Sequence, residues 1–168
     1  MANERLQKWA LIAEVAGGLA IIISLVFVGI QFRENTRATR SAMATDANTM
    51  SSTWYMTIGS DSNTSGLLYR FLTDFDSLAQ EEKFQMVMYF HAVMLAFQNS
   101  FYLANEGTLD PGIRDTIVES VVVIKDTPGW HYFWENRRPL FLPEFQVFID
   151  ELMKDDREIS QSLYQSVN

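Results

Sequence analysis

Apolar positions follow two different patterns along this chain. From Ala16 to Ile30 it reads AGGLAIIISLVFVGI, fifteen residues with neither a charge nor a polar face. Extended back through WALIAEV to Trp9, the run reaches twenty-two residues. At a helical rise of ~1.5 Å per residue that is ~33 Å, enough to cross a ~30 Å hydrocarbon layer. Trp9 stands where an interfacial aromatic belongs. The run predicts a transmembrane helix. A cleaved signal peptide fits less well, because QFRENTRATR follows where a small-residue cleavage site is needed.

Beyond Ile30 the pattern becomes periodic. Met43, Ala47, Met50, Trp54 and Ile58 recur at helical spacing. No Pro precedes Pro111, and no Gly lies between Gly29 and Gly59. The membrane helix is therefore expected to continue to Ile58 as one rod of ~75 Å. GSDSNTSG, residues 59–66, reads as a loop. A short helix from Leu67 to Thr73 follows. Asp76 or Ser77 is the expected cap of a long helix with Glu81 and Glu82 in its first turn and Gly107 at its end. That helix carries no charge between Lys83 and Glu106, yet Gln85, His91, Gln98 and Asn99 favour the centre of a bundle over a second membrane crossing. Asp110-Pro111, Thr127-Pro128 and Leu142-Pro143 each open a further helix, and Pro139 closes one. Phe145, Phe148, Ile149 and Leu152 form the stripe of the last helix, and a polar tail begins at Asp155.

The fold class expected is all-α. Residues 1–31 form an N-terminal tail and transmembrane helix, and residues 32–58 a juxtamembrane helix continuous with it. Residues 59–154 form a small helical bundle of about four or five further helices, and residues 155–168 the tail.

Charge sharpens this division. Of 13 basic and 21 acidic residues, five basic and three acidic fall in residues 1–40, which leaves a balance of +2 there and −10 in the remainder. A body that acidic repels nucleic acid. Arg33, Arg37 and Arg40 share one helix face just past the apolar run and are expected to form a collar at the lipid headgroups. Three basic residues there against Arg5 and Lys8 before the run place the body in the cytoplasm, in a single-pass protein of the cell inner membrane. Glu14 interrupts the apolar run near one interface and is a candidate pairing or pore residue. Ala10, Ala13, Gly17, Ala20 and Ser24 are spaced 3, 4, 3 and 4 apart, a seam along which a second helix can approach closely.

Candidate chemistry is sparse. The chain has no Cys and two His. His131 and Glu135 are one helical turn apart, but a metal site needs three or four ligands and no neighbour in sequence supplies them. His91 falls on the stripe Met88, Leu95, Gln98 and Tyr102 and is expected to be buried with a hydrogen bond to Gln or Tyr. No phosphate-binding glycine loop or nucleophile elbow is present. Neither a cofactor nor a catalytic residue is assigned. Trp130, Tyr132, Trp134, Arg137 and Arg138 form the densest constellation; two Trp with Tyr and Phe between them are too many aromatics for one short helix to bury. Part of that set is expected to be an interaction surface.

Two stretches are distinctive together: the apolar helix running into QFRENTRATR, and the ending Gly129-Trp130, Trp134-Glu135, Arg137-Arg138, Phe141, Pro143-Glu144-Phe145 and Phe148-Ile149-Asp150-Glu151-Leu152. With them the chain resembles a widespread group of small uncharacterised bacterial membrane proteins with an N-terminal anchor. The resemblance implies that architecture and assigns no activity to any residue. The leading expectation is a non-enzymatic, membrane-anchored protein that self-associates or binds another membrane protein. The alternatives are an oligomeric pore lined by Glu14, Ser24 and Gln31, and a membrane-proximal enzyme using His91 or His131.

Overall fold

Helix-forming sequence without breakers gives one long first element. In the computed structural model, which describes residues 2–156, α1 runs Ala2–Ser60. Five more helices follow among the described residues: α2 Ser62–Thr73, α3 Gln80–Asn105, α4 Pro111–Ile124, α5 Pro128–Arg137 and α6 Pro143–Leu152. Short 3₁₀ turns span Phe75–Ser77 and Arg138–Leu140, and no strand occurs among the described residues. The all-helical class is as the pattern predicted. The expected polar tail lies, past Asp156, outside the described residues. The chain separates into two units, residues 1–41 and residues 42 onward.

In the first unit α1 is one exposed helix. It is long and apolar enough to cross a membrane, and among the described residues its apolar stretch buries no side chain. In the second unit the bundle closes around aromatic side chains. Phe71 of α2, Phe90 of α3, Trp130 and Phe133 of α5, and Phe145 and Ile149 of α6 are all fully or almost fully buried. Phe71 and Phe90 stack at 5.0 Å, and Trp130 and Trp134 lie parallel at 5.9 Å between ring centres.

The helix ends follow local chemistry, with two corrections. The stretch 59–66 is not a loop: α1 and α2 are separated by Asp61 alone. The Asp61 carboxylate accepts from the Thr64 N–H at 2.9 Å and from its hydroxyl at 2.5 Å, which satisfies the first turn and starts α2 at once. The Ser65 hydroxyl donates back to the Ile58 carbonyl. Nor do Asp76 and Ser77 cap the long helix. They sit in a 3₁₀ turn, and α3 begins at Gln80. Glu82 reaches back to accept the Ala79 N–H at 2.9 Å, so the N-terminal turn is closed from inside the helix. Gly107, at φ +70°, ends α3 in the left-handed conformation expected of a C′ residue. Asp110 caps α4 by accepting the Gly112 N–H at 2.8 Å. Thr127 precedes Pro128 as expected, but its hydroxyl donates to the Ile124 carbonyl at 2.7 Å and caps nothing.

α2 and α5 touch at Gly129. A Cβ there would stand 2.1 Å from the Phe71 carbonyl oxygen and 2.5 Å from the Phe71 ring. Only the missing side chain lets the two backbones meet, and that contact is what buries Phe71 and Trp130 together.

Candidate functional site

The apolar residues of the first unit are exposed along the whole run. Trp9 is 70 % exposed and Ile23 65 %, although Ile149 in the body is 1 % exposed. Glu14 and the small residues Ala10, Ala13, Gly17, Ala20 and Ser24 are exposed too. A Cβ added to Gly17 would meet nothing within 4 Å among the described residues. Past the apolar run, Arg33, Arg37 and Arg40 flank a shallow depression with Phe32 and Thr36. The Thr36 hydroxyl donates to the Phe32 carbonyl at 2.9 Å, so it is turned back onto its own helix beside the guanidinium groups.

The aromatic constellation of α5 divides differently from the expectation. Trp130 and Trp134 do not face outward: they are 0 % and 4 % exposed. Their parallel stacking lets one helix bury both, with Phe141 stacked on Trp134 at 5.7 Å and Phe90 edge-on to Trp130 at 6.4 Å. Arg138 belongs to the same inner construction. It donates to Asp150 from Nε at 3.0 Å and from Nη2 at 2.5 Å, while Trp134 Nε1 donates to the same carboxylate at 2.9 Å. Arg138, with Trp134 beside it, holds the Asp150 carboxyl below the usual carboxylate range against the opposing effect of burial. Tyr132 remains exposed, with its ring 4.6 Å from that of Phe75. Arg137 is half-buried.

The histidines are not brought together for chemistry. His91 is half-buried against the Phe141 ring at 5.0 Å. Its Nδ1 has no hydrogen-bond partner, contrary to the expected bond to Gln or Tyr. Gln98 accepts the Leu142 N–H at 2.7 Å instead and ties α3 to the start of α6. Burial, with a contribution from the positive charge of Arg137, holds the His91 imidazole below its ordinary pKa. His131 is exposed near the start of α5, and no cluster of three metal-ligating side chains forms among the described residues.

Two body features escaped the sequence reading. Lys125 is buried at the end of α4, with Nζ at 2.7 Å from both carboxylate oxygens of Asp126. Adjacent residues on the way out of a helix give no periodic signal. The other is a groove of about 390 Å³ between the end of α1, α3 and α4. Its walls carry Met50, Trp54, Tyr89, Val93, Phe97 and Ile117, and none of its lining residues is charged. Thr53, Thr57 and Thr116 line it too, but their hydroxyls donate to the carbonyls four residues earlier, at 2.8, 2.8 and 3.1 Å. Trp54 Nε1 and the Tyr89 hydroxyl are both shut off from water. They lie near one another, and the indole N–H favours the ionised phenol. Burial pushes the Tyr89 phenol up from its ordinary value.

Nothing in these features is a catalytic constellation; what the chain presents is an uncovered apolar helix, a basic collar and an apolar groove. No protein-family model, no curated protein and no solved structure matches the chain, so its functional reading rests on these residues.

Proposed function

We propose that this is a non-enzymatic, single-pass membrane protein whose apolar helix anchors a helical body and also mediates assembly, with a second copy or with another membrane protein. One observation carries the reading: the apolar side chains from Trp9 to Ile30 are exposed, while the body encloses a core of its own. Fifteen uncharged residues left in water cost far more than the marginal stability of a domain of this size. Lipid removes that cost, and Arg33, Arg37 and Arg40 then meet the phosphate layer. The small-residue seam supplies the assembly face, because close backbone packing is what drives helix association in lipid.

Flotation and alkaline extraction test the anchor. The full chain is expected to float with vesicles and to resist carbonate; release by carbonate would end the reading. Native mass spectrometry in mild detergent tests assembly, with oligomers of the wild type lost in Gly17→Leu; a strictly monomeric wild type would remove the seam. The positive balance after the run puts the body in the cytoplasm. The chain has no Cys, so single cysteines at Asn3 and Ser62 can be labelled selectively in intact cells with an impermeant maleimide. Labelling at residue 3 and protection at residue 62 is the expected result.

A further inference from the structure

Arg33, Arg37 and Arg40 span ~10.5 Å of rise along α1 and stay within ~60° of one face. Side chains on a helix lean toward its N-terminus, which on the membrane reading above is the lipid end of α1. Arg37 and Arg40 therefore lean back toward Arg33. All three line one open hollow of about 380 Å³ with Phe32 and Thr36, and no acidic residue lines it. Glu34 lies ~100° round the helix from Arg33. Among the described residues no carboxylate pairs with any of the three arginines. Three positive charges in one hollow call for an anion, and the planar fork of a guanidinium matches a phosphate. Thr36 adds a second condition. Its hydroxyl donates to the Phe32 carbonyl, so it offers the hollow only lone pairs. A ligand beside it has to donate from a hydroxyl or an ammonium, and an ammonium would be a fourth positive charge among three. Phe32, 69 % exposed and two residues past Ile30, gives the hollow an apolar lower edge where the hydrocarbon ends. We propose, resting on that membrane reading, that the hollow binds an anionic phospholipid whose headgroup carries hydroxyls in place of an amine. The guanidinium groups hold its phosphate, Thr36 accepts from a headgroup hydroxyl, and Phe32 packs beside its acyl chains. Phosphatidylglycerol has this chemistry.

The test titrates the full chain in mild detergent with phosphatidylglycerol, phosphatidylethanolamine or phosphatidylcholine of identical acyl chains. Native mass spectrometry then counts the lipid each sample retains. The wild type is expected to prefer phosphatidylglycerol over the other two about tenfold or more. Arg37→Gln alone is expected to lower that preference about fivefold, and Arg33→Gln with Arg37→Gln and Arg40→Gln to abolish it. Thr36→Val is expected to lower phosphatidylglycerol retention about threefold and to leave phosphatidylcholine unchanged. Arg5→Gln with Lys8→Gln removes charge from the other end of the apolar run and is expected to leave the preference intact. An excess of inorganic phosphate is not expected to displace the lipid. All the substituted side chains are exposed on α1, so the variants keep the fold. Equal retention of the three lipids by the wild type would overturn the proposal. So would a preference that survives the triple variant or is lost with Arg5 and Lys8, retention unmoved by Thr36→Val, or displacement by inorganic phosphate. Flotation of the same protein on pure phosphatidylcholine vesicles separates this failure from that of the anchor. A chain that floats without the preference has an anchor and no such site; a chain that does not float has lost the anchor and the site with it.

Discussion

Trp9 and Trp130 are the same side chain in opposite circumstances. Trp9 is 70 % exposed on a bare stretch of helix, and Trp130 is fully buried among Phe90, Phe133 and Trp134. The contrast extends to their surroundings: residues 9–30 are the most apolar in the chain yet bury nothing, whereas the body, far more polar overall, encloses a continuous aromatic core. Apolar content alone therefore does not make a core. A run with no polar face has no direction in which to fold onto itself and needs an apolar surrounding from outside. The body's stripes have polar faces opposite them, so each helix can turn inward.

The largest expected effect breaks the first half of that contrast. Ile22→Arg with Ile23→Arg places two charges at the centre of the apolar run, at ~2.5–3.5 kcal/mol each on insertion scales. Membrane association of the full chain is expected to collapse in flotation, while the thermal transition of the body stays within ~0.5 kcal/mol of the wild type. A body that melts along with the anchor would show that the two units are not independent in stability. The converse change is Phe133→Ala. Truncating a fully buried Phe is expected to cost ~3–5 kcal/mol in the body and leave flotation intact.

Gly129→Ala tests the α2–α5 contact by the opposite route. It adds one methyl group where the Phe71 backbone leaves no room, and it is expected to cost ~1–3 kcal/mol or more because the blocking atom is a carbonyl rather than a flexible side-chain end. Chemical denaturation with a fluorescence readout of the tryptophans measures it. A neutral result would mean that α5 can slide on α2.

A pH titration of the body separates two ionisable groups. Asp150 has its folded pKa lowered, first by the Arg138 hydrogen bonds and then by Trp134, so its contribution is present above the ordinary carboxylate value of about 3.9 and lost as the pH falls through the lower folded value. His91 is also lowered, by burial first and Arg137 second. For a base this means that protonation opposes folding: full stability holds above about 6.5 and declines as the pH falls below it. Stability is therefore expected to fall in two steps on acidification. His91→Gln removes the first and Asp150→Asn the second. A single step unaffected by His91→Gln would show that the imidazole is not held in its half-buried site.

How much of this was legible in the sequence follows from which interactions are local. The apolar run, the Gly107 stop and the Asp110-Pro111 start depend on residues within a turn of each other, and all were readable. Residues 59–66 were misread because Ser, Asn, Thr and Gly describe a loop by composition. The Asp61 cap and the buried Leu67, Leu68 and Phe71 beyond it extend α2 back through that stretch. Trp130 and Trp134 were misplaced because their burial needs Phe90 and Phe141, which lie in other elements. The groove was invisible for the same reason, since Trp54, Tyr89 and Ile117 belong to three separate helices.

The smallest expected effect probes the groove, a place where the body too leaves apolar surface uncovered. Tyr89→Phe deletes a hydroxyl that is sealed from water and, among the described residues, has only the Trp54 indole near it. In most buried sites a lost hydroxyl removes a hydrogen bond and destabilises by ~1 kcal/mol. Here nothing is lost and a desolvation cost is relieved, so the empty body is expected to be unchanged or up to ~1 kcal/mol more stable. Thermal unfolding of detergent-purified protein, compared with Tyr132→Phe at an exposed ring, measures the difference. A loss of stability would mean that the Tyr89 hydroxyl already has a partner within the chain, with Trp54 the nearest candidate. A gain would mark the hydroxyl as a group kept for something other than folding.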